Sequence, residues 1–386
     1  MSALFLGIET PGTGTHPASW RRPDSRAEDL FTAKYWTEVV TTAETLGFDA
    51  VFLPDSFALQ EGGPEVVRGR LDAVAVAART APLTRRIGLV PQVPVTHTEP
   101  FHVSKAIAAL DFASLGRAGW EVTVSTRDTE AAAFGRKEIQ DAAALWHEAD
   151  EAVEVVTRLW DSWEDDAEIR DVPTGRFIDR DRLHYIDFEG DNFSVKGPAI
   201  TPRSPQGQPI VTVRADDPSS NGIAVHRADL IRITAPDLAT AATHRFALRA
   251  ALADTGRDPD AVRVLLDLPV HLADSIAGAL ADVAELDRWA AGIGQRAAAG
   301  TDRSAAGVSA VELRHVGTVI ELDHLLGEIA RSGIDGVVLR PLALHATLSA
   351  LTAHRAPTAT SAAQLTLRDR LGLPRPVSRY AAGAAL

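Results

Sequence analysis

Residues 70–125 read RLDAVAVAARTAPLTRRIGLVPQVPVTHTEPFHVSKAIAALDFASLGRAGWEVTVS. Residues 87–95 form a nearly unbroken run of apolar and β-branched side chains, which is typical of a strand buried on both faces. Pro100 indicates the first turn of a helix, and residues 120–124 supply the next buried strand. Strand, helix and strand in succession predict a parallel sheet that is covered by helices.

The same alternation continues along most of the chain. Short buried runs occur near residues 4, 50, 87, 120, 210, 230, 263 and 336, and helical patterns lie between them. Eight parallel strands separated by helices predict a (β/α)8 TIM barrel, which we expect to occupy residues 1–386 as a single α/β domain.

Two segments depart from the alternation. Residues 161–208 are charged, are rich in Asp, Gly and Pro, and contain a hairpin signal at 184–195. Because long ordered insertions are often lids or interface elements, we expect this insertion after the fourth strand to cross the barrel mouth. Residues 356–386 are expected to form a C-terminal extension.

The composition argues against several classes of function. The 386 residues carry a formal net charge of −13, so no basic field attracts nucleic acid or an anionic membrane. The chain has no cysteine, which excludes disulfides, a thiolate nucleophile and zinc–cysteine sites. No segment reaches the roughly 18 apolar residues of a membrane span, and the N-terminus lacks the basic region of a signal peptide. We therefore expect a cytoplasmic protein.

No short motif in the chain identifies a type of reaction by itself. A P-loop, a G-x-S-x-G elbow and a G-x-G-x-x-G turn after the first strand are all absent. His97, Glu99 and His102 are the closest cluster of metal-ligand types, but their spacing matches no zinc signature, so no metal site is expected. Asp55 directly follows the second strand, where a carboxylate serves either as a ligand contact or as a helix cap.

Several longer motifs carry a family resemblance. They are FDAVFLPDS at 48–56, RRIGL at 85–89, TEPFH at 98–102, GRAGW at 116–120, LWDSWE at 159–164 and LRDRLGLPRP at 367–376. These motifs resemble the luciferase-like flavin-dependent monooxygenases, and within them the nitrilotriacetate and dibenzothiophene-sulfone monooxygenase branch.

The resemblance implies a bacterial-luciferase-like barrel and a two-component monooxygenase. Such enzymes use reduced FMN from a separate reductase to activate O2 and insert one oxygen atom into a small organic substrate, for which a specialised metabolite is one candidate. The resemblance also implies a homodimer or a heterodimer. Asp55 matches an acidic position near the isoalloxazine ring, and Thr96 falls in the loop that lines the ring.

Three places depart from the family pattern. Glu121 stands where the family usually has Asn, and Ala142 and Trp146 stand where a His and a Tyr help to hold the FMN phosphate. The phosphate loop, usually an A-G-S-S turn, here reads RADDPSSNG at 214–222.

This loop leaves two readings open. Asp216 and Asp217 would repel a phosphate, since like charges about 4 Å apart cost on the order of 4 kcal/mol at an effective dielectric near 20. If they face solvent, Ser219, Ser220 and the helix N-terminus can take the phosphate. Arg214 would then neutralise it. Otherwise the chain is a paralogue without the family's FMN binding, which acts as a partner subunit or in flavin-independent chemistry.

The catalytic candidates are His97, His102 and Glu121. A carboxylate in an apolar barrel interior would have a raised pKa, which makes Glu121 a candidate general acid or base. An ion pair with Arg117 or Arg214 is the structural alternative. For the two histidines the alternative is structural hydrogen bonding.

Overall fold

The computed structural model describes residues 4–60, 66–297, 312–358 and 365–381. Its strands are β1 (Phe5–Glu9), β2 (Ala50–Leu53), β3 (Gly88–Pro94), β4 (Gly119–Thr123), β5 (Glu168–Asp171), β6 (Arg176–Ile178), β7 (Phe188–Glu189), β8 (Ser194–Val195), β9 (Ile210–Arg214), β10 (Leu230–Ile233), β11 (Arg263–Leu272), β12 (His315–Gly317) and β13 (Gly336–Pro341).

Its α-helices are α1 (Ala33–Thr45), α2 (Ala73–Thr80), α3 (Pro100–Ser114), α4 (Asp128–Phe134), α5 (Ala142–Asp161), α6 (Pro218–Arg227), α7 (Leu238–Asp254), α8 (Ile276–Ala297), α9 (Val319–Ser332), α10 (Leu344–His354) and α11 (Leu367–Leu371). Short 3-10 helices cover Ser19–Arg21, Ala27–Asp29, Ala81–Leu83, Arg180–Arg182 and Pro259–Ala261. None of the helices within the described ranges combines the length and the apolar character that a membrane span requires.

Eight of the strands close into a parallel barrel, as the sequence predicts. The order around the barrel is β1, β2, β3, β4, β9, β10, β11 and β13, which returns to β1. Leu230 lies beside Arg263 where β10 meets β11, and Phe5 lies beside Gly336 where β13 meets β1. β12 pairs with the last residues of β11 and extends the sheet there. The predicted strand positions all correspond to observed barrel strands.

The barrel interior is apolar near the amino ends of the strands. Phe5, Phe52 and Val338 belong to one buried cluster there, and Leu367 of α11 belongs to the same cluster. The Leu367 backbone N–H donates to Gly116 at 2.8 Å, which holds α11 against this end of the barrel. The C-terminal segment thus completes the lower core, where each buried apolar side chain contributes roughly 1.5–3 kcal/mol.

Residues 161–208 differ from their expected position. They follow α5, which returns from the carboxyl ends of the strands to the amino ends, so the segment starts on the side opposite the mouth. The β7–β8 hairpin then runs along the outer face of α5, where the N–H groups of Asp191 and Asn192 donate to Glu151 at 2.7 and 2.8 Å. Within the segment, the indole N–H of Trp163 donates to the Ala199 carbonyl at 2.8 Å and joins its first residues to its later part. These contacts place the insertion beside the barrel.

Candidate active site

A fully buried arginine lies at the centre of the barrel, above the apolar layer. Arg232 in β10 has no exposed surface. Its guanidinium donates to Asp267 of β11 at 2.8 and 2.9 Å. It also donates to Glu121 of β4 and to Glu9 of β1, each at 2.6 Å. One cation therefore joins four strands, and its carbon Cζ lies 4.8 Å from the ring centroid of Phe52 below it.

Two further arginines complete this ionic network nearer to the mouth. Arg214 donates to Glu9 at 2.8 Å, and Arg340 of β13 donates to Glu9 at 3.2 Å and to Glu312 at 3.1 Å. Burial by itself would raise the pKa of Glu9, but the three surrounding guanidinium groups outweigh it and hold that pKa well below its ordinary value. The carboxylate is therefore charged at neutral pH.

Sequence reasoning selected Glu121 but missed Arg232 and Asp267. Each of the missed residues is the one charged side chain in an apolar run of its strand: Arg232 lies in LIRI at 230–233, and Asp267 lies in VLLDLPV at 264–270. Because barrel strands alternate inward and outward positions, such residues indicate a charged interior. No local sequence pattern shows which of these charged residues pair with one another across the strands. Glu121 forms an ion pair with Arg232 rather than with Arg117, and Arg214 lies 3.9 Å from it.

Gln92 of β3 links the ionic network to the turn after β2. Its Nε2 donates to Glu121 at 2.7 Å, and its Oε1 accepts from the backbone N–H of Asp55 at 3.0 Å. The Asp55 carboxylate accepts from the N–H groups of Ser56 and Ala73, each at 2.8 Å. Burial raises the pKa of Asp55. Asp55 therefore lies at the mouth, as predicted, and it also holds the start of α2.

Two cavities of about 500 Å³ each adjoin at the carboxyl ends of the strands. The first, which we call the β3 cavity, is lined by Asp55, Gln92, Thr123, Glu130 and Arg214, among others. The second, the β13 cavity, is lined by residues that include His16, Leu30, Trp36, Arg70 and Arg340. Pro54, Ser56 and Arg127 line both cavities. The hydroxyl oxygen of Thr123 is buried and has no hydrogen-bond partner within the described ranges.

Thr96 is predicted to line the ring, and His97 and His102 are predicted to be catalytic; all three follow β3. Thr96 is buried, and its Oγ1 accepts from the Ser125 N–H at 2.9 Å. His97 stacks on Phe134 with ring centroids 4.8 Å apart, and burial lowers its pKa. The Nδ1 of His97 is buried and finds no partner among the residues that the structure describes. His102 is exposed on the first turn of α3. The catalytic roles of both histidines stay predictions.

The turn from β9 to α6 satisfies its own helix N-terminus. The Asp217 carboxylate accepts from the N–H groups of Ser219 and Ser220 at 2.7 and 3.0 Å. The hydroxyl of Ser220 accepts from the N–H groups of Asp216 and Asp217, each at 3.1 Å. Pro218 is the first residue of the helix and has no N–H. A carboxylate of the chain therefore already occupies the donors that open this helix.

Trp146 and Ser219 lie on the other side of this turn. They line an outer groove between α5 and α6 together with Ala143, His147, Asp150, Gly222, Ile223, His226 and Arg227. Arg214, which was predicted to neutralise a phosphate, points instead into the barrel toward Glu9. The structure thus places Asp55 and Arg214 in the lining of the β3 cavity and Glu121 buried beneath it, whereas Trp146 and Ser219 line a separate groove.

Comparison with known proteins identifies the family. The family described as Luciferase-like monooxygenase matches residues 5–323. The chain belongs to this family. N-acetyl-S-(2-succino)cysteine monooxygenase of Bacillus subtilis (strain 168) is 34% identical over 73% of this chain and 64% of that protein. Dibenzothiophene-sulfone monooxygenase of Rhodococcus erythropolis is 32% identical over 70% of this chain and 62% of that protein. The matched region spans less than two thirds of each relative's length. The branch that the motifs indicate is confirmed.

Solved structures show the same luciferase-like fold. EDTA monooxygenase from Chelativorans sp. BNC1 superposes with a TM-score of 0.82 at 22% identity, covering 96% of this chain and 98% of that chain. A long-chain alkane monooxygenase superposes with a TM-score of 0.81 at 19% identity, covering 96% of each chain.

The family implies FMN, and the described residues fit its two ends unequally. The β3 cavity offers the polar side chains of Asp55 and Gln92, and the unpartnered Thr123 hydroxyl, to a ring that carries N–H and carbonyl groups. In the β9–α6 turn, the N–H groups of Ser219 and Ser220 already donate to Asp217, so they are not available to a phosphate. The ring end therefore fits this luciferase-like barrel, and the phosphate end does not fit in the expected way.

Asp216 makes the stability of the protein depend on pH. Burial, aided by the charges of Asp267 and Glu121, raises the pKa of Asp216 to about 6, although Arg214 acts in the opposite direction. Because the pKa of this carboxyl is higher in the folded protein than in the unfolded chain, its ionisation destabilises the fold. The stability is lost as the pH rises from the pKa of the unfolded state through about 6. We expect Asp216→Asn to raise the free energy of unfolding in urea near pH 7.5, and to raise it less near pH 4.

The gain should be modest, because the Asp216 side chain is 46% exposed and solvent screens its charge. An equal increase in the free energy of unfolding at both pH values would show that the surroundings do not shift the pKa of the Asp216 carboxyl.

Proposed function

We propose that this chain is the oxygenase component of a two-component flavin-dependent monooxygenase. A separate reductase supplies the reduced flavin, whose two electrons allow one atom of O2 to enter a small organic substrate while the other leaves as water. The observation that carries the proposal is the pair of adjoining cavities at the carboxyl ends of the strands of a luciferase-like barrel. A homodimeric or heterodimeric assembly belongs to the same proposal.

In this proposal the flavin ring lies in the β3 cavity. Asp55 and Gln92 line that cavity on fixed backbone, since the Asp55 N–H donates to the Gln92 side chain. The ionic network beneath the cavity holds three guanidinium groups against the carboxylates of Glu9, Glu121 and Asp267. This network forms the floor of the cavity. Because fixed hydrogen bonds hold its charges in place, the floor keeps its shape while the charge of the flavin above it changes. Glu121 acts here as a positioning residue of that floor.

The substrate lies in the β13 cavity. The lining of that cavity includes the apolar side chains of Leu30 and Trp36 and the polar side chains of His16 and Arg70. The Arg70 guanidinium donates to the Ala58 carbonyl at 3.1 Å, which fixes it beside the wall shared with the β3 cavity. A volume of about 500 Å³ suits a small molecule with a polar end and an apolar end.

One observation favours a second candidate. Because Asp217 already satisfies the N-terminus of α6, this paralogue could have lost flavin altogether and act as a partner subunit or in flavin-independent chemistry.

A titration distinguishes the two candidates. The purified chain is titrated anaerobically with dithionite-reduced riboflavin and, separately, with reduced FMN, and protein fluorescence is followed. We expect saturable binding of at least one flavin with a Kd in the micromolar range, about −8 kcal/mol. The absence of binding by both flavins at several hundred micromolar would contradict the monooxygenase proposal and favour the second candidate.

A further inference from the structure

We propose that the flavin site of this chain takes a phosphate-free flavin, riboflavin, in preference to FMN. The inference rests on the proposed function, because it concerns the tail of the flavin whose ring lies in the β3 cavity. It follows from three properties of the β9–α6 turn, whose Arg214 lines that cavity, and of the outer groove that Ser219 of the same turn lines.

The first property is that the anion-binding groups of the turn are occupied. A helix N-terminus binds phosphate through N–H groups that have no partner within the helix. Here the N–H groups of Ser219 and Ser220 donate to Asp217, and the first helical residue is Pro218, which has no N–H. The Ser220 hydroxyl donates to the Asp217 carbonyl at 3.0 Å, so this group is engaged as well. A phosphate would have to displace a carboxylate from its own cap.

The second property is the sign of the local charge. Asp216 and Asp217 are consecutive at the turn, and Asp217 contributes a negative charge where a phosphate would bring about two more. The cation of the turn itself, Arg214, lies 3.8 Å from the Asp216 carboxylate but donates a hydrogen bond to Glu9 inside the barrel. The turn therefore has no uncommitted cation among its own residues with which to bind a dianion.

The third property is that the cations of the adjoining groove are committed to carboxylates. The Arg227 guanidinium donates to both oxygens of Asp150, at 2.7 and 2.9 Å, and also to Glu154. The His147 ring lies 2.9 Å from Asp191. The half-buried face of Trp146 lines the same groove, and it can cover an uncharged ribityl chain without needing a counter-ion.

The test compares two ligands that differ only in the phosphate. The full chain is titrated with riboflavin and with FMN at low ionic strength, under the same anaerobic reducing conditions. We expect the Kd for FMN to be at least about tenfold higher than the Kd for riboflavin. Added salt should lower this FMN-to-riboflavin ratio of Kd values, because it screens the charge of the FMN phosphate. Asp216→Asn/Asp217→Asn should lower the ratio by about tenfold or more, since Asn still caps a helix but carries no charge.

The matched control is Asp237→Asn. Asp237 caps α7 in the same manner, accepting from the Thr240 N–H at 2.7 Å, so this variant removes one charge from a neighbouring helix N-terminus. The control should leave the FMN-to-riboflavin ratio of the wild-type chain unchanged. Wild-type binding of FMN as tight as or tighter than that of riboflavin would overturn the inference while leaving the proposed function intact. Failure of both flavins to bind would overturn both.

Discussion

Replacing Arg232 by methionine is expected to lower the free energy of unfolding by about 3–5 kcal/mol. Methionine has nearly the same length but no charge, so the carboxylates of Glu9, Glu121 and Asp267 would stay buried without the guanidinium that they share. Removal of one partner from a buried ionic cluster leaves uncompensated charge, which is more harmful than replacing the whole cluster by apolar groups. Urea denaturation followed by circular dichroism measures the loss.

The control for this variant is Arg375→Met. Arg375 pairs with Asp165 at 2.7 Å, but the two side chains are 46% and 55% exposed, so this loss should stay below about 1 kcal/mol. The Arg232→Met deficit should also shrink as the pH falls, because carboxyls that lose their cation take up protons more readily in the folded state. A deficit of under about 1 kcal/mol for Arg232→Met, independent of pH, would show that the network does not hold the barrel together.

Replacing Thr123 by phenylalanine is expected to weaken flavin binding by at least about a hundredfold, or ~2.7 kcal/mol. Thr123 is the last residue of β4, and it faces the β3 cavity beside Gln92 and Asp55. An aromatic ring at this position would fill the volume in which we place the isoalloxazine ring. Because Thr123 is only partly buried and lines the cavity, the fold should tolerate the change. Titration with reduced riboflavin measures the binding.

Thr243→Phe provides the matched control. Thr243 is exposed on α7, away from both cavities, so the same substitution there should leave flavin binding at its wild-type value. Thermal denaturation of both variants distinguishes a blocked cavity from a misfolded chain. Unimpaired flavin binding by a folded Thr123→Phe protein would contradict the placement of the ring in the β3 cavity.

The local patterns of the sequence were sufficient for the barrel. Apolar, β-branched runs such as residues 87–95 have few alternatives to a strand that is buried on both faces, and the helices between them bury the outside of the sheet. The insertion at 161–208 was harder to place, because composition reports an irregular segment but not the surface on which it lies. Its position followed from the direction of α5 and from the Glu151 contacts with Asp191 and Asn192.

The candidate site was predicted only in part. Asp55 could be selected because it directly follows a buried strand, and Glu121 because it stands where the family that the motifs resemble usually has Asn. The partner of Glu121 could not, since Arg232 is more than a hundred residues away along the chain and nothing near Glu121 marks it. The same limit applied to Asp217: its charge was visible in the sequence, but whether it faced solvent or capped α6 depended on the backbone of one turn.

By itself the sequence determined an eight-stranded acidic barrel of the luciferase-like kind and the departures of its phosphate loop, because strand periodicity and short motifs are local properties of the chain. Tertiary structure alone decided that Arg232 is held by carboxylates from three other strands and that Asp217 occupies the N-terminus of its own helix. The physical reason is that the energy of a charge depends on which groups the closed barrel brings within a few ångströms of it.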